Sequence, residues 1–192
     1  MEPARRYAEE AASLDPLSWL TAHAGPHADL YGGNAALAFE RMGELANRLA
    51  PGEPWPAFEV GYAALQAGLE DEARAWFRQS MGGGSPYYSR FSRLLIHLLD
   101  DNKDGAEEIL RITAFTEMAG RVGYGSNLVG TCFAIIGRTE EAFEWLERGI
   151  DQGFTNHRFM GEYDPLLAPL RGTPRFEELL EKAREKAAAI NV

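Results

Sequence analysis

The chain has 192 residues, enough for one domain with a real core or for a short array of repeats. Its hydrophobic fraction of 45% is ordinary for a globular chain, which argues against disorder, and its formal net charge of −10 argues against nucleic acid or an anionic membrane as partner. The single cysteine, Cys132, excludes an internal disulfide and any paired-cysteine metal motif, and within the apolar run LVGTCFAII it reads as a small buried filler. The opening MEPARRYAEEAASLD has no apolar signal region, and no stretch approaches the length of a membrane span. A cytoplasmic setting is therefore expected, and no cofactor motif is found.

In chain order the first interruption is HAGPH, residues 23–27. Pro26 inside a helix removes a hydrogen bond and clashes with the preceding turn, so a kink or break is predicted there. His23 and His27 lie four apart, the spacing of a metal pair on an intact helix. The intervening Gly25-Pro26 undermines such a helix and no carboxylate motif accompanies the pair, so a broken surface helix is predicted and no metal.

One phrase then recurs. In LYGGNAALAFERM, Gly33 stands five residues before Ala38 and Met42 four after it; in GLEDEARAWF, Gly68, Ala73 and Phe77 repeat the spacing. DGAEEIL supplies Ala106 and Leu110, and GRTEEAFEWL supplies Gly137, Ala142 and Leu146. The four alanines step by 35, 33 and 36 residues, a period that predicts helical hairpins. Small residues at each crossing let two backbones approach, and a large residue one turn along fills the space beside them. The glycine closes the first helix in a left-handed conformation, and the acids after it favour the start of the second. One hairpin cannot bury its own apolar face, so neighbours must stack.

Gly61, Ala64, Gly68, Ala73 and Phe77, with Gly130, Phe133, Gly137, Ala142 and Leu146, resemble the tetratricopeptide repeat. The resemblance implies an all-α fold, a right-handed α-solenoid of about four hairpins over residues 16–50, 54–81, 86–116 and 120–153, forming one domain across 1–192. Ala11, Leu14, Asp15 and Pro16 resemble the end of a second helix passing into the next hairpin, which makes residues 2–14 a half-repeat. That half-repeat either caps the array or continues a longer parent protein upstream. An uncovered apolar face there would support a homo-oligomer.

The last stretch, 154–190, departs from the phrase. Asp164, Leu166, Leu170, Arg171, Pro174, Arg175, Phe176 and Leu179 resemble the closing segment after tetratricopeptide arrays in bacterial multidomain signalling proteins. Independently of that, Thr173 can cap a helix that begins at Pro174. Phe176, Leu179 and Leu180 would seal the last hairpin, while Glu177, Glu178, Glu181 and Lys182 face water.

Chemistry-bearing clusters are few. His157, Glu162 and Asp164 could do acid-base work, but they read as polar residues of a connecting loop. SMGGGSPYYSR, residues 80–90, lacks the Lys-Ser or Lys-Thr of a phosphate loop and reads as a flexible linker. Tyr87, Tyr88 and Phe91 are either a partner-contacting patch or the start of the third hairpin.

In such solenoids the first helix of each hairpin lines a concave groove. With Gly61 and Ala64 at one crossing, Phe58, Tyr62, Leu65 and Gln66 are predicted to face it. With Gly130 and Phe133 at another, Asn127, Thr131, Ala134 and Ile135 are. Aromatic and amide side chains suit an extended peptide. No lysine–arginine pair is present to clamp a terminal carboxylate, so a chaperone-tail role is not expected. The expectation is a non-catalytic module that binds a protein or peptide, as a fragment or tail of a larger bacterial regulator. The alternative is a small-ligand sensor using the same groove, and hydrolase chemistry at His157, Glu162 and Asp164 comes third.

Overall fold

A computed structural model describes residues 2–189, with side chains from residue 6. The predicted end of the closing segment at residue 190 and the domain bounds at 1 and 192 lie outside the described residues. No strand occurs among them. The helices are α1 (Glu2–Leu14), α2 (Trp19–Ala22), α3 (Ala24–Tyr31), α4 (Ala35–Leu49), α5 (Pro54–Gln66), α6 (Glu70–Gly82), α7 (Pro86–Leu99), α8 (Lys103–Leu110), α9 (Thr113–Ala119), α10 (Gly123–Ile136) and α11 (Thr139–Asp151). A π-helical turn, Phe159–Tyr163, and a 3-10 turn, Pro165–Leu170, precede α12 (Pro174–Ala189). The chain divides into two compact units, residues 1–96 and 97–192.

The recurring phrase occupies the core of both. Ala38, Ala73, Ala106 and Ala142 are fully buried, and so are Met42, Phe77 and Leu146 four residues on, with Leu110 nearly so. In the first unit α5 packs between α4 and α6, with α3 on α4 and α1 on α3. In the second, α10 packs chiefly on α11 and also meets α8, α9 and the 3-10 turn. The crossings admit no side chain at two glycines. A Cβ on Gly61 would stand 2.7 Å from the Phe77 ring, and one on Gly130 would stand 3.0 Å from the Ala142 carbonyl oxygen and the Leu146 nitrogen. Gly137 closes α10 at φ 85°, the left-handed conformation the turn requires. Glu70, Asp71 and Glu72 open α6, and Glu140 and Glu141 open α11, where the helix dipole favours them.

Four local expectations are refined. The break at HAGPH falls at His23, one residue before α3; Pro26 sits in the first turn of that helix, where a missing N–H costs little. The glycine-rich linker is short, because α6 continues through Gly82 and only 83–85 separate it from α7. Thr173 does not cap α12 with its side chain: its hydroxyl donates back to the Leu170 carbonyl at 2.7 Å. The α12 start uses the Thr173 carbonyl instead, which accepts from the Phe176 and Glu177 amides.

Lys182, expected in water, is tied to α11, donating to Glu147 at 2.9 Å and Asp151 at 3.1 Å. The predicted apolar stripe does its work beneath it. Phe176, Leu179 and Ala183 pack with Ala142, Phe143, Leu146 and Ile150. Asp164 is buried and holds the preceding turn, accepting from the Leu166 amide at 2.9 Å, while Arg171 donates to the Asp164 carbonyl at 2.5 Å. At the other end Leu14, Leu17 and Leu20 are 82%, 80% and 64% exposed.

Gly130→Ala is expected to destabilise the protein by about 1–3 kcal/mol through overpacking, although Gly→Ala in an open helix interior stabilises by about 0.5–1 kcal/mol. Gly82→Ala, where a Cβ meets open space, is the control and should be neutral or mildly stabilising. Urea unfolding midpoints of the two variants check the contrast.

Candidate functional site

α5 carries one acid, Glu59, in the apolar run PWPAFEVGYAALQ. Eleven consecutive residues of that helix, Pro56–Gln66, are buried, and Glu59 among them is only 4% exposed. A carboxylate so placed must find donors. It finds two: His27 Nε2 donates to Oε2 at 3.1 Å, and Trp55 Nε1 donates to Oε1 at 3.1 Å. Pro54 at the helix start places Trp55 one turn before Glu59, and α3 brings His27 from the hairpin before.

Rings surround this carboxylate. His23 stacks on Trp19 with ring centroids 5.4 Å apart, and meets Trp55 and His27 edge-on at 5.3 and 4.7 Å. Tyr31 lies edge-on to His27 at 5.7 Å. From the first turn of α7, Tyr88 packs on Phe58 and Tyr87 packs edge-on to Phe91. Burial, and then the charge of Glu59, pushes the phenols of Tyr87 and Tyr88 up to about 12. His27, Tyr31, Trp55, Tyr87 and Tyr88 are all partly exposed, so the cluster reaches the surface.

The deeper groups are fixed. His23 is buried, and its Nδ1 donates to the Trp19 carbonyl at 2.7 Å, leaving Nε2 as the acceptor of the neutral ring. Burial, and then the neighbouring His27, lowers its pKa below 6.5. The Trp19 indole N–H is buried and has no acceptor among the described residues. Beside them Asp29, buried, accepts from Arg41 and joins α3 to α4.

The residues predicted to face a groove lie elsewhere. Phe58, Tyr62, Leu65 and Gln66 are buried, as are Asn127, Thr131 and Ala134; Ile135 alone of the eight is partly exposed. The reason is common to both helices: α5 and α10 are apolar on every side, and each is flanked by more than one neighbour, so neither keeps an open face. Phe58 packs on Phe77, Phe91 and Tyr88, and Gln66 donates to the Tyr62 hydroxyl at 2.9 Å. Thr131 donates to the Asn127 carbonyl at 3.0 Å, and Ala134 joins the core beneath α12.

Sequence reasoning placed His23 and His27 on a broken surface helix in preference to a metal pair and passed over Glu59, Trp55 and Trp19. The missed signal was the lone acid of an apolar helix. Of Tyr87, Tyr88 and Phe91, the two tyrosines lie in the first turn of α7 and are partly exposed, while Phe91 is buried. His157, Glu162 and Asp164 form no comparable site: Glu162 is exposed and accepts from Arg158 at 3.2 Å, which lowers its pKa, and Asp164 is spent on its turn. Among the described residues no group of three His, Cys, Asp or Glu is placed to hold a metal ion, and no helix is long and apolar enough to cross a membrane. No protein-family model matches the chain, and no curated protein is significantly similar to it.

Because the folded-state pKa of His23 is depressed, the unfolded chain binds its proton first as pH falls, so stability is present above about 6.5 and is lost below it. Urea midpoints of the wild type should fall between about pH 7 and pH 5. His23→Gln, which removes the titrating ring, should flatten that slope.

Proposed function

We propose that the chain is a non-catalytic protein-interaction module that binds a protein or peptide segment through the surface around Glu59. The observation that carries the reading is a buried carboxylate beneath partly exposed aromatic rings from α3, α5 and α7. Rings offer large contact area at low entropic cost, and polar groups at fixed positions supply selectivity. Paired helices, glycine-tight crossings and the sealing helix α12 support a tetratricopeptide-like solenoid of about four hairpins as the scaffold. In this reading the module works in the cytoplasm, within a larger bacterial regulator, and a second copy docks on the exposed leucines at 14, 17 and 20.

A second reading, small-ligand sensing, has its own observation. A cavity of about 250 Å³ lies between α1, the α1–α2 connection, α2 and α4, lined by apolar Ala12, Pro16, Ala22 and Leu45 and by charged Arg41, Glu44 and Arg48. An apolar metabolite bearing an anionic group would fit that lining.

Panning a random peptide library on the immobilised protein separates the two. Peptides enriched on the wild type should lose binding to the Trp55→Ala/Tyr88→Ala double variant by roughly tenfold or more, as truncation of aromatic anchors does. Equal retention by both proteins would move the interface away from Glu59. No enriched peptide, with a thermal shift from an anionic metabolite that Arg48→Ala abolishes, would favour the cavity.

A further inference from the structure

We infer that the surface around Glu59 recognises a guanidinium, and that the segment bound by this module presents an arginine side chain to it. The inference rests on the reading of that surface as the binding site and names the chemistry it selects.

Glu59 is the starting point. A buried carboxylate is stable only when paired or well hydrogen-bonded. The two donors it has are an indole N–H and an imidazole N–H, and the indole carries no charge. Among the described residues, the one basic side chain within ion-pair distance of Glu59 is His27, which is charged only when protonated. The nearby Arg41 is committed to Asp29. Neither donor is a permanent cation. An ionised carboxylate offers about four acceptor positions, and the indole and imidazole use two. A planar cation with several N–H donors would complete the set.

The walls select the same shape. Trp55, Tyr31, Tyr87 and Tyr88 are partly exposed rings of that cluster. Cations are drawn to the faces of tryptophan and tyrosine, and a guanidinium both stacks on such faces and forks onto a carboxylate, which an ammonium does not. The Trp19 indole N–H, buried and without an acceptor among the described residues, lies on a ring whose centroid is 6.4 Å from that of Trp55.

The test uses the full chain and a minimal probe. N-acetyl-arginine amide is titrated while the four indole N–H resonances are followed by NMR. N-acetyl-citrulline amide, which keeps the shape and loses the charge, is the comparison. The expected result is a saturable shift of the Trp55 resonance with the arginine probe, roughly tenfold or more weaker with citrulline. The Trp76 and Trp145 resonances should stay still, and Glu59→Gln should lose the arginine response. Equal response to citrulline, or no saturable shift in the folded wild type, overturns the inference. The comparison of probes on the wild type stands even if Glu59→Gln fails to fold. The two proposals also separate: enriched peptides that need Trp55 and Tyr88 but contain no arginine would sink the guanidinium and keep the peptide. An arginine response with no enriched peptide would do the reverse.

Discussion

Everything in both units depends on how closely two helices can cross. Gly61 lies against the Phe77 ring and Gly130 against the backbone of α11, at distances that leave no room for a Cβ. The alanine anchors and the large residues after them fill what remains, and the fit is tight enough to bury all eight completely or nearly so. Such a crossing is unforgiving of volume in either direction. It also decides what becomes of the first helix of each pair. Gripped by its partner on one side and by further neighbours on the others, α5 is buried from Pro56 to Gln66 and α10 over most of its length.

That burial explains why Glu59 is informative. On an exposed helix face an acid between Phe58 and Val60 would be unremarkable, because water would satisfy it. Inside α5 the same acid has to be held by named groups, and rings from α2, α3, α5 and α7 gather around it. The arrangement is costly in desolvation, and the hydrogen bonds from His27 and Trp55 offset part of that cost. Neutral His23, stacked and bonded to its own helix, closes the inner side.

The helices were legible in the sequence because their cues are local. Gly137 in a left-handed turn, acids at the starts of α6 and α11, and the stripe of Phe176 and Leu179 each follow from a few adjacent residues. The mistaken part concerned exposure. The surface of α5 was divided into a crossing side and an open side from one pair of glycines, although a helix carrying Phe58, Val60, Tyr62 and Leu65 in succession has no side poor in apolar residues. Burial from several directions is a property of the neighbours, and a single helix does not reveal how many it has. The same limit hid the cluster: His27 and Glu59 are 32 residues apart and meet only once α3 and α5 are placed. The hydroxyl of Thr173 failed for a smaller reason, since a nearer carbonyl competed for it.

Cys132 carries a consequence of a different kind. It is the single cysteine, it lies in α10 without exposure, and burial followed by the charge of Asp164 raises its thiol pKa well above the usual range. A thiol that is both covered and protonated reacts with alkylating reagents only while its surroundings are open. The second unit therefore contains a built-in clock, one atom whose labelling rate counts the openings of α10 and leaves the first unit unrecorded.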